Sequence, residues 1–141
     1  ALAKFLSGNP KKTLKNNEIL ESILIPKSSQ TKKTEFLGFS ITENDYDMVM
    51  IAVGIDINNS ICSNTKVAIG AAVSPCKTVE VVETLLNGQS LTETIILEAS
   101  EKVIENLTLV KDFRTTDEHR YQVIKTLVKR SLHSVGTDLS V

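Results

Sequence analysis

Glu43, Asp45 and Asp47 place three carboxylates within five residues. Such a cluster serves general acid–base chemistry when a neighbouring group drives its pKa values apart. No His or Lys stands beside them to do so, and the stretch reads as solvated charge on a loop or strand edge. Cys62 and Cys76 are the only cysteines, and neither belongs to a C-x-x-C pair, so structural zinc and thioredoxin-like redox chemistry lack their ligands. Reduced, buried thiols in a cytosolic protein are the expectation over a disulfide. His119 and His133 are fourteen residues apart and far from both thiols, so no metal cluster forms in sequence. His119, on an acidic first helical turn, reads as exposed rather than as a general base. Arg114, Arg120 and Arg130 have Asp112, Asp117 and Glu118 as near neighbours, which points to structural ion pairing before anion recognition. Neither G-x-G-x-x-G nor G-x-x-x-x-G-K-[ST] occurs, so no glycine-rich phosphate cradle is encoded. The chain holds no self-sufficient active site.

Charge is uneven. The first 33 residues carry Lys4, Lys11, Lys12, Lys15, Lys27, Lys32 and Lys33 against Glu18 and Glu21. A phosphate or acidic-partner site is one reading of this arm; a solvated segment around a Lys27–Thr34 loop is the preferred one. The whole chain has a formal charge of -1 and only 4% aromatic residues, without Trp, which speaks against a nucleic-acid binder. At 141 residues, 41% hydrophobic and 23% charged, it has material for one aliphatic core. No apolar run approaches the roughly 20 residues of a membrane span. The sequons at Asn58 and Asn106 read as chance matches, because no secretory signal accompanies them. Starting at Ala1 without Met, the chain reads as cut from something longer.

The elements that must position these residues fall into two groups. Glu18–Ile25 is β-branched and stops at Pro26, and Glu35–Ile41 is a second strand candidate. Met48–Ile57 and Thr65–Val73 follow, joined as a hairpin across Asn58-Asn59-Ser60. After Thr78 the period becomes helical. Val79, Val82, Leu85 and Leu86 share a face that ends at Gly88. Ser90 with Glu93 predicts a capping box for a second helix, striped by Ile95, Ile96, Ala99, Val103, Ile104 and Leu107. Thr115 with Glu118 predicts another for a third helix, striped by Tyr121, Ile124, Leu127, Val128 and Leu132 and closing near Gly136. Strands first and helices last give an α+β fold: a small antiparallel sheet of three or four strands, with a three-helix bundle packed on one face.

That order of segments resembles one domain family. Asn17–Pro26 is similar to the E-I-L-x-x-I-x-I-P strand that opens the C-terminal domain of the FAD-binding (medium) subunit of molybdenum hydroxylases. The family includes xanthine dehydrogenase, aldehyde oxidase and aerobic carbon monoxide dehydrogenase. Val67–Val73 resembles its strand before a small-and-proline turn. Glu83, Leu86, Gly88 and Leu91 resemble its E-x-x-L-x-G-x-x-L helix end. Asp112-Phe113-Arg114 with Glu118-His119-Arg120 resembles its D-x-R…E-Y-R segment, and Leu127–Leu132 its closing L-x-x-R-A-L helix.

The resemblance implies residues 1–13 as the tail of a preceding FAD-binding region, 14–135 as the domain and 136–141 as a C-terminal tail. It implies FAD in the full-length subunit, gripped mainly by loops this chain lacks. This domain would cover part of the flavin, as electrons pass between iron–sulfur clusters and NAD or another acceptor. The implied partners are an iron–sulfur subunit and a molybdopterin subunit in a cytoplasmic complex; no catalytic residue and no metal ligand is implied. Leu20 and Leu37 align with family flavin contacts. Leu37 stands where the xanthine dehydrogenases have Lys, and Leu cannot donate a hydrogen bond. Family basic residues shortly afterwards are replaced by Ile41 and Thr42, and the aromatic of E-Y-R by His119. The alternative these departures leave is a non-catalytic interaction module that kept the fold and lost the flavin contacts. In either case the isolated chain is expected to be inactive.

Overall fold

The structure is a computed structural model, and it describes Phe5, residues 13–25, Lys27 and residues 32–137. The chain divides into two compact units, Ala1–Thr31 and Lys32–Val141.

In the second unit four strands form one antiparallel sheet in the order β1-β2-β3-β4: β1 is Lys33–Phe39, β2 Val49–Asn58, β3 Ile61–Gly70 and β4 Lys77–Thr78. Three helices follow, α1 Glu80–Leu86, α2 Glu93–Lys102 and α3 Asp117–Thr137. The expected architecture is the one observed, and the reason is period. Val49, Ile51, Val53 and Ile55 on β2 and Val67 and Ile69 on β3 alternate onto one face and are fully enclosed. Ile96 and Ala99 on α2 with Val103 at its C-cap, then Ile124, Val128 and Leu132, meet them at spacings of three and four. The expected α2 stripe is shorter than read, since the helix ends at Lys102 and Ile104 and Leu107 lie in the turn beyond it. Helix α3 lies across β1 and β2, α1 lies on β3, and α2 packs against both helices. Asn59 and Ser60 take φ of 50° and 65°, the paired left-handed geometry of a two-residue hairpin turn.

Hydrogen bonds lock α1 to the sheet. Gly88, at φ 82°, donates its N–H to the Cys62 carbonyl at 2.8 Å, and Cys62 N–H returns a bond to the Gln89 carbonyl at 2.8 Å. The Asn87 side-chain carbonyl accepts from Thr65 N–H at 3.0 Å. Gly88 is there because a left-handed residue must end the helix where the chain turns back to β3.

Several expectations are corrected. Residues 18–25 form no strand; Ile19, Leu20, Ile23, Leu24 and Ile25 are exposed, and the described bonds run from Glu18 N–H to the Lys15 carbonyl and from Lys15 N–H to the Glu18 carboxylate. A β-branched run favours extended backbone, but only a paired edge makes it a strand. Pro26, its expected stop, lies outside the described residues. Strand β1 begins at Lys33 and ends at Phe39, two residues ahead of the prediction at each end. Strand β3 begins at Ile61 and ends at Gly70, since Ala71 turns left-handed at φ 58°. Helix α2 is capped by Thr92, whose hydroxyl accepts from Ile95 N–H at 3.3 Å, and Glu93 is its first residue rather than its third. Before α3, Thr116 takes the capping bond from His119 N–H at 3.3 Å, while the Thr115 hydroxyl meets His119 Nδ1 at 2.7 Å. Lys32 is not solvated: its ammonium reaches Asp56 at 3.3 Å and the Asn64 carbonyl at 2.5 Å, and four-fifths of its side chain is covered. Residues 28–31 of the expected loop lie outside the described residues.

Candidate functional site

The sheet has a second face, and no described helix packs on it. Its residues are those that alternate with the core: Thr34, Phe36 and Gly38 on β1, Met50, Ala52 and Gly54 on β2, and Ala68 and Gly70 on β3. Register brings Phe36 opposite Ala52 and Ala52 opposite Ala68, and sets Gly38, Met50 and Gly70 in the next row. Phe36 is 61% exposed. Ala52, Ala68 and the glycines keep the middle of the face low between Phe36 and Met50, and over Gly38 the space is taken by another side chain. A Cβ there would come within 2.3 Å of an Asp47 carboxylate oxygen, so Asp47 lies directly over the glycine.

Leu37 points the other way. It sits opposite Ile51 in mid-β1, half-buried, and packs against the helix-side core. Leu20 belongs to the first unit and is 54% exposed. The two aligned flavin-contact positions therefore differ in setting: one is in the packed sheet, and the other is in a segment without regular structure.

At one end of the sheet three segments converge on Asp112. Its Oδ1 accepts from Arg120 Nη2 at 2.9 Å and from Arg114 N–H at 3.0 Å, and its Oδ2 accepts from Arg114 Nη2 at 3.0 Å and Nε at 3.2 Å. Arg120 is 1% exposed and donates through Nη1 to the Val110 carbonyl. Arg114 donates through Nη1 to the Tyr46 carbonyl at 3.0 Å, which ties the β1–β2 loop to the segment before α3. The hydrogen bonds from Arg114, with the Arg120 charge beside them, hold the Asp112 carboxyl below the usual carboxylate range. The expected arginine pairing is thus observed for Arg114 and Arg120, with one shared acid. Asp117 and Glu118 stay exposed on the first turn of α3. His119, exposed as expected, stacks its ring edgewise on Phe39 with centroids 6.0 Å apart.

The D-x-R…R pattern is accordingly a clasp. The Glu83 position is a clasp too. Glu83 is buried, accepts from Lys66 Nζ at 2.6 Å and from Val67 N–H at 3.3 Å, and so fastens α1 to β3. Sequence reading did not foresee this bond. A lone Glu among the apolar positions of a short helix was the available signal.

The remaining chemistry is sparse. Cys62 is buried, and burial pushes its thiol pKa up, the reverse of an activated nucleophile. Both thiols are free, but Cys76 is exposed where burial was expected, because it lies in the turn between β3 and β4 rather than in the core. Among the described residues no group of His, Cys, Asp and Glu is arranged to hold a metal ion, and no helix is long and apolar enough to cross a membrane. A cleft of about 290 Å³ beside β4 carries Glu80, Glu105 and Asn106, and Lys77 crosses it to the Asn106 carbonyl at 3.4 Å. What the described residues offer is surface: a sheet face with no described helix on it, and a braced loop end.

A four-stranded antiparallel sheet with three helices on one face, built around these two clasps, defines an α+β domain of the flavoprotein C-terminal type. The chain belongs to the family described as CO dehydrogenase flavoprotein C-terminal domain, which matches residues 36–135. It is 27% identical over 124 residues to the nicotine 6-hydroxylase medium subunit of Paenarthrobacter nicotinovorans, covering 88% of this chain and 43% of that protein. In fold it is similar to quinoline 2-oxidoreductase from Pseudomonas putida 86, with a TM-score of 0.71 and 21% identity over 76% of this chain and 38% of that one. It is also similar to carbon monoxide dehydrogenase from Hydrogenophaga pseudoflava, with a TM-score of 0.69 and 17% identity over 74% of this chain and 37% of that one. The chain thus spans about two fifths of the length of each relative.

Proposed function

We propose that the chain is the C-terminal domain of an FAD-binding oxidoreductase subunit in a cytoplasmic molybdenum hydroxylase complex. In this reading it covers part of the flavin and supports electron transfer between iron–sulfur clusters and NAD or another acceptor. The supporting observation is the family match, which runs from Phe36 in β1 to the last turns of α3 and so takes in most of the sheet and all three helices. Its partners are then an iron–sulfur subunit and a molybdopterin subunit. Residues 1–13 are the tail of the flavin-binding region, 14–135 the domain and 136–141 a tail.

The residues fit a covering role and no larger one. Bound FAD would supply the redox chemistry; this chain's part is to shield and to place. The flat face of Phe36, Gly38, Ala52 and Ala68 suits close approach by another layer and the exclusion of water. No glycine-rich loop is present to take phosphates, which leaves that grip to residues outside the chain. Leu20 is open to apolar contact, whereas Leu37 is turned to the helix-side core and could meet a flavin only through its partly exposed side, and it donates no hydrogen bond where a Lys would. Acceptor choice is the property most exposed to that change.

Absorbance tests the proposal. The isolated chain purifies colourless, and the full-length subunit shows the visible absorbance of bound FAD. A full-length subunit that folds yet retains no flavin overturns the cofactor reading and leaves the fold-retaining interaction module.

A further inference from the structure

Aromatic residues are only 4% of the sequence, yet two of them stand bare at one end of the domain: Tyr46 is 88% exposed and Phe113 101%. They lie on different loops, and one side chain braces both. Arg114, next to Phe113, donates to the Tyr46 carbonyl while its other nitrogens are held by Asp112. The Tyr46 loop is further set by Asp45, whose N–H donates to the Thr42 carbonyl at 3.1 Å and whose carboxylate accepts from Tyr46 N–H at 2.7 Å. Aromatic side chains on braced backbone lose little freedom on binding, and a monomer gains nothing from exposing them.

Charge around the pair has one sign. Glu43, Asp45 and Asp47 flank Tyr46, and Asp117 and Glu118 follow Phe113 on the first turn of α3. The Phe39–His119 ring contact brings that turn beside the end of β1, where the Tyr46 loop begins. Of the cations here among the described residues, Arg114 and Arg120 are both engaged by Asp112, which leaves Lys111 against five carboxylates.

We propose that the Tyr46–Phe113 end of the domain is a docking surface for a partner subunit with an apolar centre and a Lys/Arg rim. A second copy of this chain would set acid against acid at this surface, and a nucleic acid would meet the same repulsion. The inference rests on the proposed multi-subunit assembly for the existence of a partner, but not on flavin binding.

The test uses the full-length subunit with the iron–sulfur and molybdopterin subunits of its complex. Affinity is measured against salt, with flavin absorbance and Tm recorded on each variant. Tyr46→Ala and Phe113→Ala each weaken association about tenfold or more. Glu43→Lys with Glu118→Lys weakens it further and removes its salt dependence, since charge no longer contributes attraction. All variants keep the parent's Tm and flavin. Unchanged affinity in both aromatic variants overturns the proposal, as does a change only in self-association of the subunit. If the unmodified subunit carries no flavin and its variants still show these losses, the cofactor reading fails and the docking surface stands.

Discussion

The two faces of the sheet are made by the same strands and answer to different demands. Ile51 and Ala52 are consecutive on β2; one is completely enclosed beneath the helices and the other is exposed on the open side. Along β2 and β3 the covered face is Val and Ile with Cys62 and Thr65, and the open face is Met50, Ala52, Ala68 and Gly in its middle rows with Asp56 and Lys66 toward the β2–β3 turn. Bulk on the first side produces the core. Its absence on the second leaves a plane that another layer can approach. A protein that needed only to be stable would place polar side chains on the bare face, since an antiparallel sheet with one solvated side usually alternates apolar with polar. Here the polar residues Thr34, Asp56 and Lys66 gather toward the β2–β3 turn and Asp47 covers Gly38, while Phe36, Ala52 and Ala68 form an apolar middle row, which is where the proposed role would bring another layer.

The sharpest way to break this comparison is to truncate neighbouring residues on the two faces. Ile51→Ala removes most of an enclosed side chain and is expected to cost about 2–5 kcal/mol, including the cavity left behind. That lowers Tm by roughly 10–20 °C for a domain of this size. Ala52→Ser, one residue along, changes stability by no more than about 0.5 kcal/mol. Thermal unfolding followed by circular dichroism reads both. Equal losses at the two positions would show that the open face is packed after all.

How much of this was legible beforehand depends on whether a signal is local. Helical stripes such as Ile96, Ala99 and Val103 are readable because a 3.6-residue period needs only its own segment. The β2–β3 hairpin is readable for the same reason, with Asn59 and Ser60 carrying its turn. Caps were displaced because Ser90 and Thr92, and again Thr115 and Thr116, offer competing hydroxyls within two residues of each other. Residues 18–25 show the opposite failure, because a strand is a property of a pair. In β1 the run Phe36-Leu37-Gly38-Phe39 has apolar residues on both sides, so only pairing with β2 decides that Leu37 faces the core and Phe36 does not. Asp112, Arg114 and Arg120 were foreseen as ion-pair partners; the bond to the Tyr46 carbonyl, 68 residues away, was not.

The next effect in size separates the two ends of one ion pair. Glu83 is buried and also accepts from a buried backbone N–H, whereas the Lys66 side chain that meets it is 65% exposed. Glu83→Ala orphans Val67 N–H and is expected to cost about 1–3 kcal/mol. Lys66→Ala removes only a largely solvated charge and costs below about 1 kcal/mol. Chemical denaturation of both variants measures the gap. A Lys66→Ala loss as large as that of Glu83→Ala would move the clasp from the carboxylate–backbone bond to the ion pair itself.

Acid reads the smallest effect, and it reads the other clasp. Hydrogen bonds from Arg114 hold the Asp112 pKa below its ordinary value, so the folded state favours the ionised carboxylate more than the unfolded chain does. The unfolded chain then binds more protons through this window, and stability rises with pH there. The stabilisation is fully present above the unfolded pKa of about 4 and disappears as pH falls through the lower folded value. Asp56, bonded by Asn64 and Lys32, and Glu93, bonded by Lys129, are shifted the same way and share the acid limb. Asp112→Asn therefore lowers Tm at neutral pH, because a neutral amide meets Arg114 and the buried Arg120. It also flattens, without abolishing, the decline of Tm below about pH 4. An Asp112→Asn variant whose acid limb stays as steep as the parent's would assign the whole limb to Asp56 and Glu93, and would leave the Arg114 brace under Tyr46 independent of pH.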